Sequence, residues 1–240
     1  MRCVYQIRRA LLCAPILFAS CGFAQVDTQP ESVSVHAHME LPSTSSKEHT
    51  PAAVLWLKPL SGEVKPPAQS IAHFTLLQKN RMFTPHLLVI PVGSVVSFPN
   101  ADPFFHNVFS LFNGKRFDLG LYEAGTSKEV VFSREGVSYI FCNIHPQMGA
   151  VIVALTTPFY AVGDAGGSFR IDGVPDGEYE LHLWADGLAQ SSLDSLTRRV
   201  RVGPSMENPL ILDARDVPRQ PVDHLNKFGL PYPRDPSPTY

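Results

Sequence analysis

Apolar residues fall in short runs along most of the chain, each run bounded by turn chemistry. Val54 to Leu60, His86 to Pro91, Ser94 to Pro99, Ser127 to Phe132, Val137 to Cys142 and Ala150 to Leu155 are β-branched or aromatic stretches of strand length. Pro91-Val92-Gly93, Asn113-Gly114 and Glu135-Gly136 separate them. Short strands at this spacing predict an antiparallel sandwich or barrel. A second set follows at Phe159–Gly163, Gly167–Gly173, Glu178–Ala185, Thr197–Val202 and Pro209–Ala214, with Asp176-Gly177 as a tight turn. Leu188 to Leu196 predicts a short helical insertion. The stretch 68–84 has neither Gly nor Pro and admits a helix, although Phe74, Leu76 and Gln78 alternate with Thr75 and Leu77.

The flanks differ in texture. Residues 1–24 carry Arg2, Arg8 and Arg9, then an apolar core from Ala10 to Ala19, then Gly22-Phe23-Ala24 as a small-x-small cleavage site. The pattern is that of a secretory leader, and its core is too short to span a bilayer. It predicts a mature chain from Gln25 in a bacterial periplasm or outside the cell. Leu17 to Cys21 offers a second processing route, with a lipid anchor at Cys21. No other stretch is apolar enough for a transmembrane helix. Residues 25–50, rich in Ser and Thr, read as a flexible linker. From Pro218 onward six of 23 residues are Pro, so 216–240 reads as a surface or disordered tail. The expected organisation is leader 1–24, linker 25–50, a first β domain 51–157, a second 158–215, and tail 216–240.

Composition removes several classes. Proline makes up 22 of 240 residues, against a usual share of about 5%, and with 16 Gly it leaves few gaps for a helical bundle. The net charge of −2 lacks the basic excess of a nucleic-acid binder. Losing the three leader arginines leaves 17 of the 20 basic side chains against 22 acidic ones. Of four cysteines, Cys3, Cys13 and Cys21 lie in the leader, so Cys142 stands alone in the mature chain. A lone thiol in an oxidising compartment must be buried, reactive or bound to metal.

Cys142 opens the motif Cys142-Asn143-Ile144-His145-Pro146-Gln147-Met148, a thiolate, an imidazole and a thioether at C-x2-H-x2-M. The motif runs from the end of one expected strand to the start of the next, so the three side chains can converge from one loop. Thiolate and thioether select a soft metal, and imidazole suits copper. Two histidines, a cysteine and a weak axial methionine make the blue-copper set. The second histidine can come from His106, on an upstream strand edge within Asp102-Pro103-Phe104-Phe105-His106-Asn107-Val108. One copper ion of type 1 is the cofactor this predicts. His36-Ala37-His38-Met39 is a weaker copper-binding candidate, or a solvated polar stretch. His182 is expected at the surface, and Asp172, Asp176 and Glu178 in turns.

Residues 80–157 resemble the cupredoxins, the small blue copper proteins. The stretch Val92-Gly93-Ser94-Val95-Val96-Ser97-Phe98-Pro99-Asn100 is similar to their strand before the first ligand, and His106-Asn107-Val108 to the ligand itself. The Cys142–Met148 loop is similar to the short loop of the amicyanin group, including the Pro after His. The resemblance implies His106, Cys142 and His145 as equatorial ligands and Met148 as axial. It also implies that Asn107 tethers the ligand loop and directs its backbone N–H at the thiolate, and that Pro146, Phe104 and Phe105 ring an exposed edge of His145. The longer segment from Phe104 to Tyr122 departs from the family. Residues 167–181 resemble carboxypeptidase regulatory-like, or transthyretin-like, domains. The pairing looks like secreted bacterial proteins labelled methylamine-utilisation or plastocyanin-like. The implied fold is all-β: a cupredoxin Greek-key β-sandwich followed by a small transthyretin-like β-sandwich.

The function expected from this is a periplasmic one-electron carrier cycling between Cu(I) and Cu(II), with a redox protein as partner. A copper carrier or storage protein uses the same ligands, and a metal-free β-sandwich binding module is the third reading. No nucleophile–base pair stands out, so no enzyme is expected. The chain lacks C-x-x-C-H for covalent haem, and it lacks the further H-x-H pairs of a multicopper oxidase.

Overall fold

A computed structural model describes residues 32–41, 52–61, 71–111, 114–219 and 224–232. The expected leader, with Cys21, lies outside them, as does Asn113. The strands in chain order are β1 (Ser32–Glu40), β2 (Ala53–Pro59), β3 (His73–Thr75), β4 (Leu77–Lys79), β5 (Met82–Thr84), β6 (Leu87–Pro91), β7 (Val95–Pro99), β8 (His106–Ser110) and β9 (Phe117–Tyr122). They continue as β10 (Ser127–Val131), β11 (Gly136–Cys142), β12 (Gly149–Leu155), β13 (Tyr160–Val162), β14 (Ser168–Pro175), β15 (Gly177–Ala185), β16 (Arg198–Val202) and β17 (Leu210–Asp213). One short helix, α1 (Gln190–Asp194), falls where a helical insertion is expected.

Two β-sandwiches result. The first sets β10-β7-β3 against β6-β12-β11-β8-β9. Its core holds Leu76, Ile90, Val96, Phe98, Phe132, Ile140 and Ile152, and it also encloses Cys142 and Met148. The second sets β14-β1-β17 against β13-β2-β15-β16 around Val35, Leu55, Leu57, Phe169, Leu181 and Leu183. Neither closes into a barrel.

Strand β12 joins the two. Ala150, Ile152 and Ala154 point into the first core, while Val151, Val153 and Leu155 pack against Val54, Trp56 and Trp184 of the second sandwich. Both faces of this strand are buried, which is why its sequence is continuously apolar and does not alternate. Trp184 Nε1 donates to the Tyr139 hydroxyl (3.1 Å), and His86 Nε2 lies 2.8 Å from Asp186 Oδ2. Among the described residues, no helix is long and apolar enough to cross a membrane.

Three segments depart from expectation. Residues 71–84 form β3, β4 and β5 and no helix. Leu76 and Gln78 are buried at a spacing of two, so the alternation outweighs the lack of helix breakers. The β4–β5 hairpin turns at Asn80 and Arg81, both with φ of 56°. Within the expected linker, Ser32–Glu40 is a strand paired on both edges, antiparallel to β14 and parallel to β17. Val35, Ala37 and Met39 face the core in alternation with Ser34, His36, His38 and Glu40, and this pattern overrides a polar composition. The run at Val54 to Leu60 does form β2, but it pairs with β13 and β15 of the second sandwich, with Leu57 opposite Leu181.

Candidate metal centre

Strands β11 and β12 are antiparallel neighbours, and residues 143–148 carry the chain between them. The turn is held from within. Met148 N–H donates to His145 O at 3.0 Å, and Cys142 N–H to Met148 O at 3.3 Å. On the other side β8 pairs with β11, placing Val108 opposite Cys142. Strand β8 begins at His106, so this register delivers its imidazole to the ligand loop.

Three donor atoms converge there. His106 Nδ1 lies 3.5 Å from Cys142 Sγ, His145 Nδ1 lies 3.7 Å from the same sulfur, and the two imidazole nitrogens are 3.2 Å apart. Among the described residues this is the one cluster of three such groups within 4.8 Å of one another. His106 and Cys142 are fully buried; His145 is half-buried as a residue, with its ligand atom turned inward. Met148 is fully buried in the same core as Cys142. Metal bonds of about 2.0–2.1 Å to imidazole and about 2.3 Å to thiolate put trigonal donors about 3.6 and about 3.8 Å apart. The triangle is slightly tighter than that, and its donor set of thiolate and two imidazoles fits a soft transition metal.

The surroundings prepare each donor. His106 presents Nε2 to Asp102 Oδ2 at 3.0 Å. A carboxylate partner there places the ring proton on Nε2 and leaves the Nδ1 lone pair directed at the centre. Asp102 also accepts the backbone N–H groups of Asn80 (2.6 Å) and Arg81 (3.0 Å), the two turn residues of the β4–β5 hairpin. Burial raises the Asp102 carboxyl pKa, but the bonds from Arg81, His106 and Asn80 outweigh it and hold the group below the usual carboxylate range. Burial pushes the Cys142 thiol up, opposed by the backbone N–H groups of Asn107, Ile144 and His145 that point at sulfur. Those three donors are set to stabilise a thiolate once a cation offsets the burial.

Asn107 acts through its backbone on the loop. Its carbonyl accepts Asn143 N–H at 2.9 Å, while its side-chain amide donates to Asp118 Oδ1 at 2.7 Å. Phe104 packs 5.4 Å from the His106 ring and 5.3 Å from the His145 ring, whereas Phe105 is half exposed. Sequence reasoning missed Asp102, although a carboxylate four residues before a ligand-type histidine was visible. His36 and His38 lie elsewhere, lining a cleft of the second sandwich with Ser168, Asn208 and Pro209. His182 is half-buried and stacked on Trp56 at 5.2 Å.

Burial lowers the His106 pKa, and burial together with the charges of His106 and Arg81 lowers that of His145 to about 4. Both rings therefore hold protons less tightly folded than unfolded, so the unfolded chain binds more protons between about pH 6.5 and about 4. Metal-free stability should fall as pH falls through that window. His86 has the opposite sign, since its bond to Asp186 raises its pKa and its contribution is lost as pH rises above the ordinary histidine value. NMR titration of the metal-free chain should find the His145 imidazole neutral at about pH 5.5 and the His106 imidazole taking up its proton below the ordinary histidine value. Protonation of either ring at its ordinary value would refute this.

The sandwich and its buried triad define a cupredoxin-like fold. Among solved structures the chain is similar to a purple cupredoxin from Nitrosopumilus maritimus, at 28% identity over 34% of this chain and 98% of that one, with a TM-score of 0.31. It is similar to a reduced amicyanin variant at 16% identity, covering 42% of this chain and 98% of that one, with a TM-score of 0.33. A copper-containing nitrite reductase from Thermus scotoductus SA-01 matches at 24% identity over 41% of this chain and 25% of that one, with a TM-score of 0.33. The presence of an enzyme in this set corrects the expectation that the chain is no enzyme, and the fold leaves that question open. Residues 156–206 match the model of polysaccharide lyase family 4, domain II. That match does not confirm the expected transthyretin-like assignment of the second unit; short antiparallel strands with Gly turns are shared by both kinds of module. No curated protein matches the chain.

Proposed function

We propose that the chain is a periplasmic type 1 copper protein that passes single electrons. His106, Cys142 and His145 would hold one copper ion, with the Met148 thioether as a further, weaker donor. The observation that supports this is the convergence of two Nδ1 atoms and one Sγ within 3.2–3.7 Å, with His106 and Cys142 fully buried. Copper bound there would supply a Cu(I)/Cu(II) couple. Asp102 fixes the His106 ring, and three backbone N–H groups steady the sulfur in either oxidation state. Phe104 and the first core exclude water, which limits rearrangement as charge changes. The leader at 1–24 would export the chain, and the second sandwich would carry the contacts to other proteins.

Copper carriage or storage is the competing reading, and voltammetry separates the two. The copper-loaded full chain should give one reversible one-electron wave and keep its metal through repeated cycles. Release of the ion to a Cu(I) chelator on each reduction would reject the electron-carrier reading. Met148→Leu is close to volume-conserving and should cost less than about 1.5 kcal/mol of stability. It should retain copper and raise the potential, since losing a donor favours Cu(I). Complete loss of copper would show that Met148 does more than a weak donor.

A further inference from the structure

Residues 224–232, within the tail expected on the surface or disordered, cross the outside of the ligand loop. It is folded by its own turn: Asn226 N–H donates to Leu230 O and Gly229 N–H to Asn226 O, both at 2.9 Å, and Asn226 Oδ1 accepts the N–H groups of Phe228 and Leu230. Gly229 sits at φ 74°, a conformation that favours glycine. His224 and Tyr232 close the two ends, with ring centroids 5.2 Å apart and nearly perpendicular.

This compact piece grips the loop at three places and strand β9 at a fourth. The Tyr232 hydroxyl donates to the Cys142 carbonyl at 2.8 Å. Lys227 N–H donates to Asn143 Oδ1 at 3.0 Å. His224 Nε2 donates to the Pro146 carbonyl at 2.8 Å, and its ring stacks on Phe141 at 3.7 Å and 16°. The Lys227 ammonium reaches Asp118 Oδ2 at 2.9 Å, and the other oxygen of that carboxylate holds the Asn107 amide. The segment thus touches the residue on either side of the sulfur-bearing side chain, the residue after His145, and the support of the residue after His106.

We propose that residues 224–232 are a clasp that positions the Cys142–Met148 loop from outside, holding the two loop donors in register with His106. A loop of six residues between two strand ends has few internal bonds, and an external tether lowers the population of its opened forms. For the metal, this inference rests on the copper reading above; the restraint on the loop itself does not.

The test compares the full chain with one stopped before His224 and with Tyr232→Phe, which keeps the ring and loses only the hydroxyl. The first readout is amide hydrogen exchange of the metal-free protein. In the shortened chain the amides of Cys142, Asn143 and Met148 should exchange at least about tenfold faster, with β10 and β12 unchanged. Tyr232→Phe should give about a fivefold increase at Cys142 and Asn143, the size expected for one hydrogen bond. The second readout uses Cu(II) alone as probe: transfer to a chelator should be at least about tenfold faster from the shortened chain, with the visible band shifted. Loop exchange as slow in both altered chains as in the full chain would overturn the clasp. Faster loop exchange in a chain that takes up no Cu(II) would support the clasp and overturn the copper reading.

Discussion

Cys142→Ser should abolish the intense visible absorption of the copper-loaded chain and weaken copper retention by orders of magnitude. An intense band needs charge transfer from a thiolate, and Cys142 is the single free cysteine among the described residues. The substitution is sterically mild, because the hydroxyl is smaller than the thiol and fits the buried site without expanding it. It is chemically severe, because an alcohol does not ionise in this core and oxygen is a poor ligand for a soft ion. The two imidazoles would remain 3.2 Å apart and bind Cu(II) weakly and without strong colour. Absorption spectra and a chelator competition on wild type and variant check this. A variant that keeps the band would place the chromophore elsewhere.

The second large effect belongs to Asp102→Ala. Three donors meet this carboxylate: Asn80 N–H, Arg81 N–H and His106 Nε2. Alanine leaves all three without their partner where water is scarce, at about 1–3 kcal/mol each and not fully additively. We expect a loss of about 4 kcal/mol, which for a chain of this size lowers the Tm by about 8–16 °C. The loss should have a second signature. Without the carboxylate the His106 proton is free to move to Nδ1, which competes directly with a metal. Asp102→Asn should recover part of the stability, since an amide oxygen still accepts, yet bind copper more weakly than wild type. Thermal unfolding with copper affinity measures both effects. Equal copper affinity in Asp102→Asn and wild type would show that the charge on Asp102 does not orient His106.

Cys142 and His145 were legible as a pair because a loop of this length between two strands has few ways to place them. His106 was legible from its strand edge and from the family likeness. Asp102 was not assigned, although it stands four residues before His106. Its role depends on a hairpin turn at Asn80 and Arg81, and a two-residue turn with an arginine at positive φ carries no glycine to announce it. Strand β1 was hidden by composition; its apolar face uses Val35, Ala37 and Met39, small enough in total to pass for a linker. Strand β2 was found as a strand and expected in the wrong sheet, since chain proximity says nothing about which partner edge is open. The prolines of the tail pointed to a surface or disordered segment, without a partner for it. What holds residues 224–232 are bonds to the loop from Tyr232, Lys227 and His224 and an ion pair to Asp118, and long-range contacts of that kind leave no local periodicity.

The measurement that bears most directly on the account is a titration of the metal-free full chain with Cu(II), followed by visible absorption. The end-point should fall at one ion per chain, with an intense band that grows in proportion and is bleached reversibly by a reductant. A complex without an intense visible band, or no uptake at all, would contradict it.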